Sequence, residues 1–529
     1  MPTTRAQVRN HVSGETPPPN TPSPASSDAS ALATGRALVL LQLLSRALTF
    51  VLNQGLVRHA PPSVFGTAAI QFDLVAATIL FLSREGVRTA VLRTRASVSV
   101  WPLRLGVAVS AATLALYLGT APASTTRQPY FYPSLALYVL GALAELAVEP
   151  LYVRATRGDI ATRVAAEGGQ AGVRTALSFA LLVALPRLGD AEGRTALLGL
   201  ALGYFAGSAW LAARYIWAYG GTGALRGLVV SETEGDTETR RLAIAGTRQS
   251  VVKHLLTEAD RIAVGYISPL GDQGGYAVAI NYGSLVARIL FQPLEETLRL
   301  HWSRRLSSRA TLPLLAFAVR LSTHLLLLLP VFIPPLLPPL LPLLLPRKYA
   351  ATNAAATLQA YLTFYIPLLS LNGILEAFHA ASATPAQVAH QAWAMGASSA
   401  AFVLALWRIS GVVSREEALV YASCVGMGVR IAYAASHAVR YARARERESE
   451  GEDEGQRLRL RLRILPHPAV FAAVGAAGAL MWSAARLHGG TKDTLTLLAV
   501  GGASGIGVLG MIFAVERDEA RRLGEMLQQ

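Results

Sequence analysis

The sequence predicts an all-α polytopic membrane protein with about 14 transmembrane helices. Three observations carry that prediction. Hydrophobic residues make up 52% of the 529 and charged residues only 15%. The mean hydropathy is +0.38. Apolar runs of the roughly 20 residues needed to cross about 30 Å of hydrocarbon recur from one end of the chain to the other. A soluble chain of several domains carries more charge than this.

The runs fall near residues 36–57, 64–83, 103–120, 131–153, 169–187, 195–219, 244–268, 276–298, 312–345, 358–381, 392–407, 415–437, 467–487 and 493–515. Lys and Arg gather by about three to one on the side that bears both tails, which puts both termini in the cytosol. The same placement accounts for the net charge of +15 and leaves nucleic-acid binding without support. Residues 1–35 contain ETPPPNTPSPASSDAS in place of the short apolar region of a cleavable signal, and read as a disordered cytosolic tail.

An acidic, polar linker at 221–243, containing RGLVVSETEGDTETRR, divides an N-terminal lobe of six spans (36–220) from a C-terminal lobe of six (244–437). A charged cytosolic loop (438–466), a terminal helix pair (467–515) and a cytosolic tail (516–529) follow. The Arg/Leu alternation of that loop offers two readings, contact with an anionic membrane surface and ordinary positive-inside flanking charge, of which the second is favoured. Leu325 to Pro346, LLLLLPVFIPPLLPPLLPLLLP, is rich in prolines that lack an amide donor, so a kinked or irregular segment is expected there.

Within these spans, polar residues recur with helical spacing. Asn281, Ser284, Arg288, Gln292, Glu295 and Arg299 fall within about 80° of arc on an ideal helix. An isolated charge at the bilayer centre costs about 2.5 to 3.5 kcal/mol, so such a stripe must face protein or a wet cavity. The first span repeats the pattern with Gln42, Ser45, Arg46, Thr49 and Asn53. The fourth carries Glu145 and Glu149, expected on one face, and the fifth opens with Arg163, Glu167, Gln170 and Arg174. His254, Thr257, Glu258 and Arg261 mark the seventh. Tyr361, Tyr365, Asn372, Glu376 and His379 mark the tenth, and Arg430 the twelfth.

Stripes of both charge signs on helices from both halves predict a central polar cavity between two bundles. Arginine presents a planar fork of donors that stays charged, so Arg46, Arg261, Arg288 and Arg430 suit a phosphate or diphosphate. The carboxylates would hold those arginines apart in the empty site, or carry coupling protons. His254 and His379 read as hydrogen-bonded interior histidines, and Asp73 as a polar contact. Cys424, the one cysteine, allows neither an intramolecular disulfide nor a multi-cysteine metal site. No HExxH, P-loop or GxSxG pattern occurs, so no catalytic residue, cofactor or metal is expected.

Leu40 to Arg93, LQLLSRALTFVLNQGLVRHAPPSVFGTAAIQFDLVAATILFLSREGVRTAVLR, closely resembles the opening of the Rft family of endoplasmic-reticulum proteins. AELAVEPLYV (Ala144 to Val153), HLLTEADRIAVGYI (His254 to Ile267), DQGGYAVAINYGSLVARILFQPLEETLR (Asp272 to Arg299) and YIPLLSLNGILEAFHA (Tyr365 to Ala380) are similar to further blocks of it. The blocks are collinear over about 340 residues, which no short motif matches in specificity. The twelfth span departs from the family pattern: it keeps Arg430 but has Ser423 and Met427 where asparagines are expected.

The resemblance implies a role in N-glycosylation, at the passage of dolichol diphosphate bearing five mannoses and two N-acetylglucosamines from the cytosolic to the luminal leaflet. It also implies kinship with the exporter superfamily whose lipid II flippases pack two six-helix lobes around a cavity and add a terminal helix pair. The polar stripes and the resemblance together give as expected substrate-contact residues Arg46, Asn53, Glu149, Glu258, Arg261, Asn281, Arg288, Gln292, Glu295, Asn372, Glu376 and Arg430, with the dolichol-linked lipid and membrane lipids as partners. Two other classes stay open: a cation-coupled exporter of small molecules, and a scaffold or lipid chaperone that transports nothing.

Overall fold

The computed structural model describes residues 51–94, 101–187, 193–220, 237–449, 464–487 and 491–528; Arg46 lies outside them, as do a few side chains within them, including that of Arg288. Helices follow one another throughout, and no strand occurs among the described residues. Helix α1 covers 51–59. α2 starts as Pro62–Gly66, passes a π turn at Thr67–Phe72 and continues as Asp73–Thr94. Then come α3 (Trp101–Thr120), α4 (Phe131–Ala147), α5 (Glu149–Gly158), α6 (Ile160–Arg187) and α7 (Ala196–Ala218).

The second half holds α8 (Thr237–Thr257), α9 (Ala259–Ile267) and α10, which runs Leu270–Val286, through a π turn at Ala287–Phe291, to Gln292–Arg305. α11 is Thr311–Leu344; α12 joins Ala354–Ala360, a π turn at Tyr361–Tyr365 and Ile366–Ser382. α13 (Pro385–Ile409), α14 (Arg415–Ser449), α15 (Pro468–Leu487) and α16 (Thr491–Gln528) complete the chain.

Ten helices among the described residues are long and apolar enough to cross a membrane, and the bent pair of α4 and α5 makes an eleventh. Fourteen were expected. The first expected span lies largely outside the described residues. The seventh and eighth are helical as α8–α9 and α10, but Arg248, Lys253, Glu258, Asp260 and Arg261 in one and Asn281, Arg288, Gln292, Glu295 and Glu296 in the other make them too polar to qualify by apolarity. A polar-faced helix shielded by its neighbours would show that property.

Two local expectations need correction. α4 and α5 meet at 50° across Val148, because Pro150 has no amide for the carbonyl four residues back and its ring crowds that carbonyl. Glu145 and Glu149 therefore do not share one straight face. Of the two forms expected for the proline-rich stretch, kinked or irregular, the irregular one is not found: α11 is one helix containing Pro330, Pro334, Pro335, Pro338, Pro339 and Pro342. Four of these recur every fourth residue, so the missing donors fall along one side, and α15 and α16 pack against the helix through Val470, Val474 and Val508.

Aromatic and small residues close the core. Tyr138 of α4 stacks on Tyr204 of α7 at 4.2 Å between ring centroids. Trp302 of α10, fully buried, packs edge-on against Phe378 of α12. Arg320 of α11, buried, meets Glu516 and Glu519 of α16 at 3.1 and 2.7 Å, which docks the final helix. α13 opens on a capping box in which Thr384 accepts from the Gln387 amide and Gln387 accepts from the Thr384 amide. Thr384→Ala should lower stability by about 1 kcal/mol, read from unfolding in detergent, and Thr384→Ser should not.

Helix α2 touches α8 and α10 at opposite ends. A β-carbon built on Gly86 would sit 2.3 Å from the Thr247 amide nitrogen. One on Gly66 would meet the Leu270 carbonyl oxygen at 2.6 Å, and one on Gly274 the Pro62 carbonyl oxygen at 2.0 Å. Only hydrogen fits at these crossings.

Candidate functional site

The polar side chains predicted from the sequence gather in two groups. The first lies among α2, α4, α5, α6 and α7. Asp73 receives Arg174 at 2.7 Å, and the Arg174 guanidinium stands 4.9 Å from the centre of the Tyr204 ring. Glu145, buried, accepts from Gln170 at 2.6 Å and Ser208 at 2.8 Å, with Arg84 at 3.6 Å. Beyond the bend Glu149, 2% exposed, takes both arms of Arg88 at 2.6 and 2.8 Å, and the Arg88 guanidinium lies 3.9 Å over Tyr152. Both glutamates thus still reach α2, through arginines one helical turn apart.

The second group lies among α9, α10, α12 and α14. Arg430 grips Glu376 with two parallel bonds of 2.9 Å each. Glu295 reaches α12 at Gly373, where an added β-carbon would lie 1.8 Å from its Oε1. Asn372 is buried one turn before Glu376. Arg261 meets Glu258 at 3.0 Å across the break between α8 and α9, and Tyr276 donates to Asp260 at 3.4 Å. Tyr361 and Tyr365 stack at 4.5 Å within the π turn of α12.

The remaining predicted residues are spread more widely. Asn53 and Asn281 are half-buried, whereas Gln292 is exposed. Glu296 and Arg299 are exposed and pair with each other. The single stripe drawn through α10 is broken because its π turn inserts a residue between Ser284 and Gln292, rotating the C-terminal part of the helix by about 100°. His254 is bonded as expected, to Thr78 at 2.8 Å. His379 is fully buried, but neither ring nitrogen has a hydrogen-bond partner among the described residues; it packs against Tyr433 and His437.

Sequence reading passed over Arg88. Its place near the end of a span is what positive-inside charge would also supply, and only its spacing from Arg84 hinted at a shared face. Outside the membrane, Lys348 donates to the Arg58 carbonyl at 2.9 Å, and burial pulls its ammonium down to about 8.

These pairs differ in accessibility, and that decides what they can do. Arg88 and Glu149 are 18% and 2% exposed, an enclosed pair that joins α2 to α5. Arg430 and Glu376 are 33% and 28% exposed, and Arg261 and Glu258 are 41% and 16%. A guanidinium fork already paired bidentately with a carboxylate has the geometry to take a phosphate in its place.

A profile of the family described as Rft protein matches residues 30–525. The Man(5)GlcNAc(2)-PP-dolichol translocation protein RFT1 of Yarrowia lipolytica is 31% identical over 478 residues, covering 77% of this chain and 70% of that one. The protein of the same name from Saccharomyces cerevisiae is 28% identical, covering 78% and 83%, and that of Mus musculus 26%, covering 77% and 81%. Among solved structures, the lipid II flippase MurJ in an inward closed conformation superposes with a TM-score of 0.50 at 10% identity, over 91% of this chain and 99% of that one. At that identity the likeness concerns the fold alone.

Proposed function

Because the chain belongs to the Rft protein family, we propose that it translocates Man(5)GlcNAc(2)-PP-dolichol from the cytosolic to the luminal leaflet of the endoplasmic-reticulum membrane, with both termini cytosolic. The observation that carries this reading is the bidentate, one-third-exposed Arg430–Glu376 pair, set within a membrane span beside Glu295 and Asn372. In the resting protein the carboxylate occupies the guanidinium. The diphosphate of an entering lipid displaces it, while Asn372, Glu295, Asn281 and Asn53 offer hydrogen-bond groups to sugar hydroxyls, and the polyprenyl tail stays in lipid.

Arg261 with Glu258 forms a second exchangeable pair, and Arg46, Arg288 and Gln292 complete the proposed contact set. Lobes at 36–220 and 244–437 rock about α2 to expose the site to either side, as in other two-bundle transporters. No catalytic step is assigned to any residue. Purified, folded protein in vesicles containing the labelled lipid should raise its leaflet exchange above that of empty vesicles. Exchange no faster than in empty vesicles would sink direct translocation and leave the scaffold reading. A rate that collapses with the proton or sodium gradient would instead support a coupled exporter.

A further inference from the structure

The arginines where α10 turns into α11, and those at the far end of α14, take no part in the site above. α14 has 35 residues, roughly 50 Å at 1.5 Å per residue, so its end overhangs a hydrocarbon layer of about 30 Å. The overhang is held in place. Tyr441 and Arg445 donate to the Leu306 carbonyl at 3.2 and 3.4 Å, and Ala442 is buried with Trp302 and Phe378.

Arg440, Arg443 and Arg447 follow at i, i+3 and i+7, within about 60° of arc, and all three are exposed. Glu446 projects outside that arc. On the other side of the anchoring carbonyl Arg304 is exposed as well. Leu300 and Val439, 47% and 43% exposed, lie within about one turn of these arginines. A basic stripe with an apolar margin suits a ligand that carries both a phosphate and an acyl chain.

We propose that this surface binds the headgroups of anionic phospholipids in the leaflet it faces. The guanidinium groups take the phosphates, and the apolar side chains mark where the acyl chains begin. Binding at this surface is independent of translocation and would hold for a scaffold equally.

The test is the unfolding midpoint of the full chain in neutral detergent, titrated with phosphatidylserine, phosphatidylcholine, pyrophosphate or polyglutamate. Phosphatidylserine should raise the midpoint by a few degrees, and the other three should not. Arg304→Gln/Arg440→Gln/Arg443→Gln/Arg447→Gln should lose the shift, and the corresponding Lys variant should keep most of it. If the fourfold Gln variant does not fold, Arg443→Gln/Arg447→Gln, confined to the overhang, should lose about half.

Three outcomes overturn the proposal. One is no shift with phosphatidylserine. Another is a full shift in a folded Gln variant. The third is an equal shift with phosphatidylcholine, which would make binding indifferent to headgroup charge, with pyrophosphate, which would make the site one for soluble anions, or with polyglutamate, which would make it one for acidic protein.

Discussion

Gly274→Val is expected to cut lipid translocation by at least about fivefold while leaving the protein folded. Its β-carbon would come 2.0 Å from the Pro62 carbonyl oxygen and 2.7 Å from the Pro62 carbonyl carbon, both backbone atoms that no rotamer change can move. The contact is reciprocal. Gly66 stands five residues after its helix-capping Pro61 and faces the Leu270 carbonyl, and Gly274 stands five after Pro269 and faces that of Pro62. Two helix starts built alike thus close on each other, with Gln71 donating to Gln273 at 2.7 Å beside them.

Overpacking such a contact costs about 1 to 3 kcal/mol, a bias of about 5- to 150-fold against the closed arrangement at this end. A transporter that must close this end on each cycle slows accordingly. Cys424 is the single cysteine, so a Cys424→Ala background allows a clean distance probe through Gln71→Cys and Gln273→Cys with a short bifunctional reagent. Gly274→Val should lower the cross-linking yield together with the transport rate. Gly475→Val, at a glycine with nothing within 4 Å, should change neither. Undiminished cross-linking and transport in Gly274→Val would show that the contact yields cheaply and gates nothing.

The fold class was legible because hydropathy reports burial in lipid residue by residue, and each apolar run is long enough to average over local error. The site was legible only in part. Polar residues inside spans identify themselves by their cost, which is how Glu149, Glu376 and Arg430 stand out. Which face they share depends on helical phase, and phase is set by features without a sequence signature. The π turns at Ala287–Phe291 and Tyr361–Tyr365 arise in the sequences ARILF and YLTFY, which contain neither Pro nor Gly, yet the first separates Asn281 from Glu295. The bend at Val148 was announced by Pro150, but a projection on an ideal helix ignores it. Pairings between distant helices, such as Asp73 with Arg174 or Arg88 with Glu149, are tertiary facts that periodicity along one helix cannot supply.

Arg430→Ala is expected to weaken binding of the dolichol-linked diphosphate by about 10- to 150-fold, the range for losing a hydrogen-bonded charge pair of about 1.5 to 3 kcal/mol. Glu376→Gln should act in the opposite direction. It removes the carboxylate that occupies the Arg430 fork through two bonds of 2.9 Å and relieves the crowding with Glu295, which leans on Gly373 of the same helix. Binding should therefore tighten several-fold. Turnover should fall all the same, because release on the far side depends on the carboxylate retaking the guanidinium.

A pair that served only to hold α12 to α14 predicts something else: either single change would lower stability by a similar amount, Glu376→Gln/Arg430→Gln would restore it, and lipid affinity would not move. Equilibrium binding and unfolding measured on the two single variants and the double separate these cases. An Arg430→Ala protein that is folded and binds the lipid as tightly as the parent would remove Arg430 from the site. With the diphosphate then assigned to Arg261 beside Glu258, the exchange of a carboxylate for a phosphate would still be the operative step, moved from α14 to the break between α8 and α9.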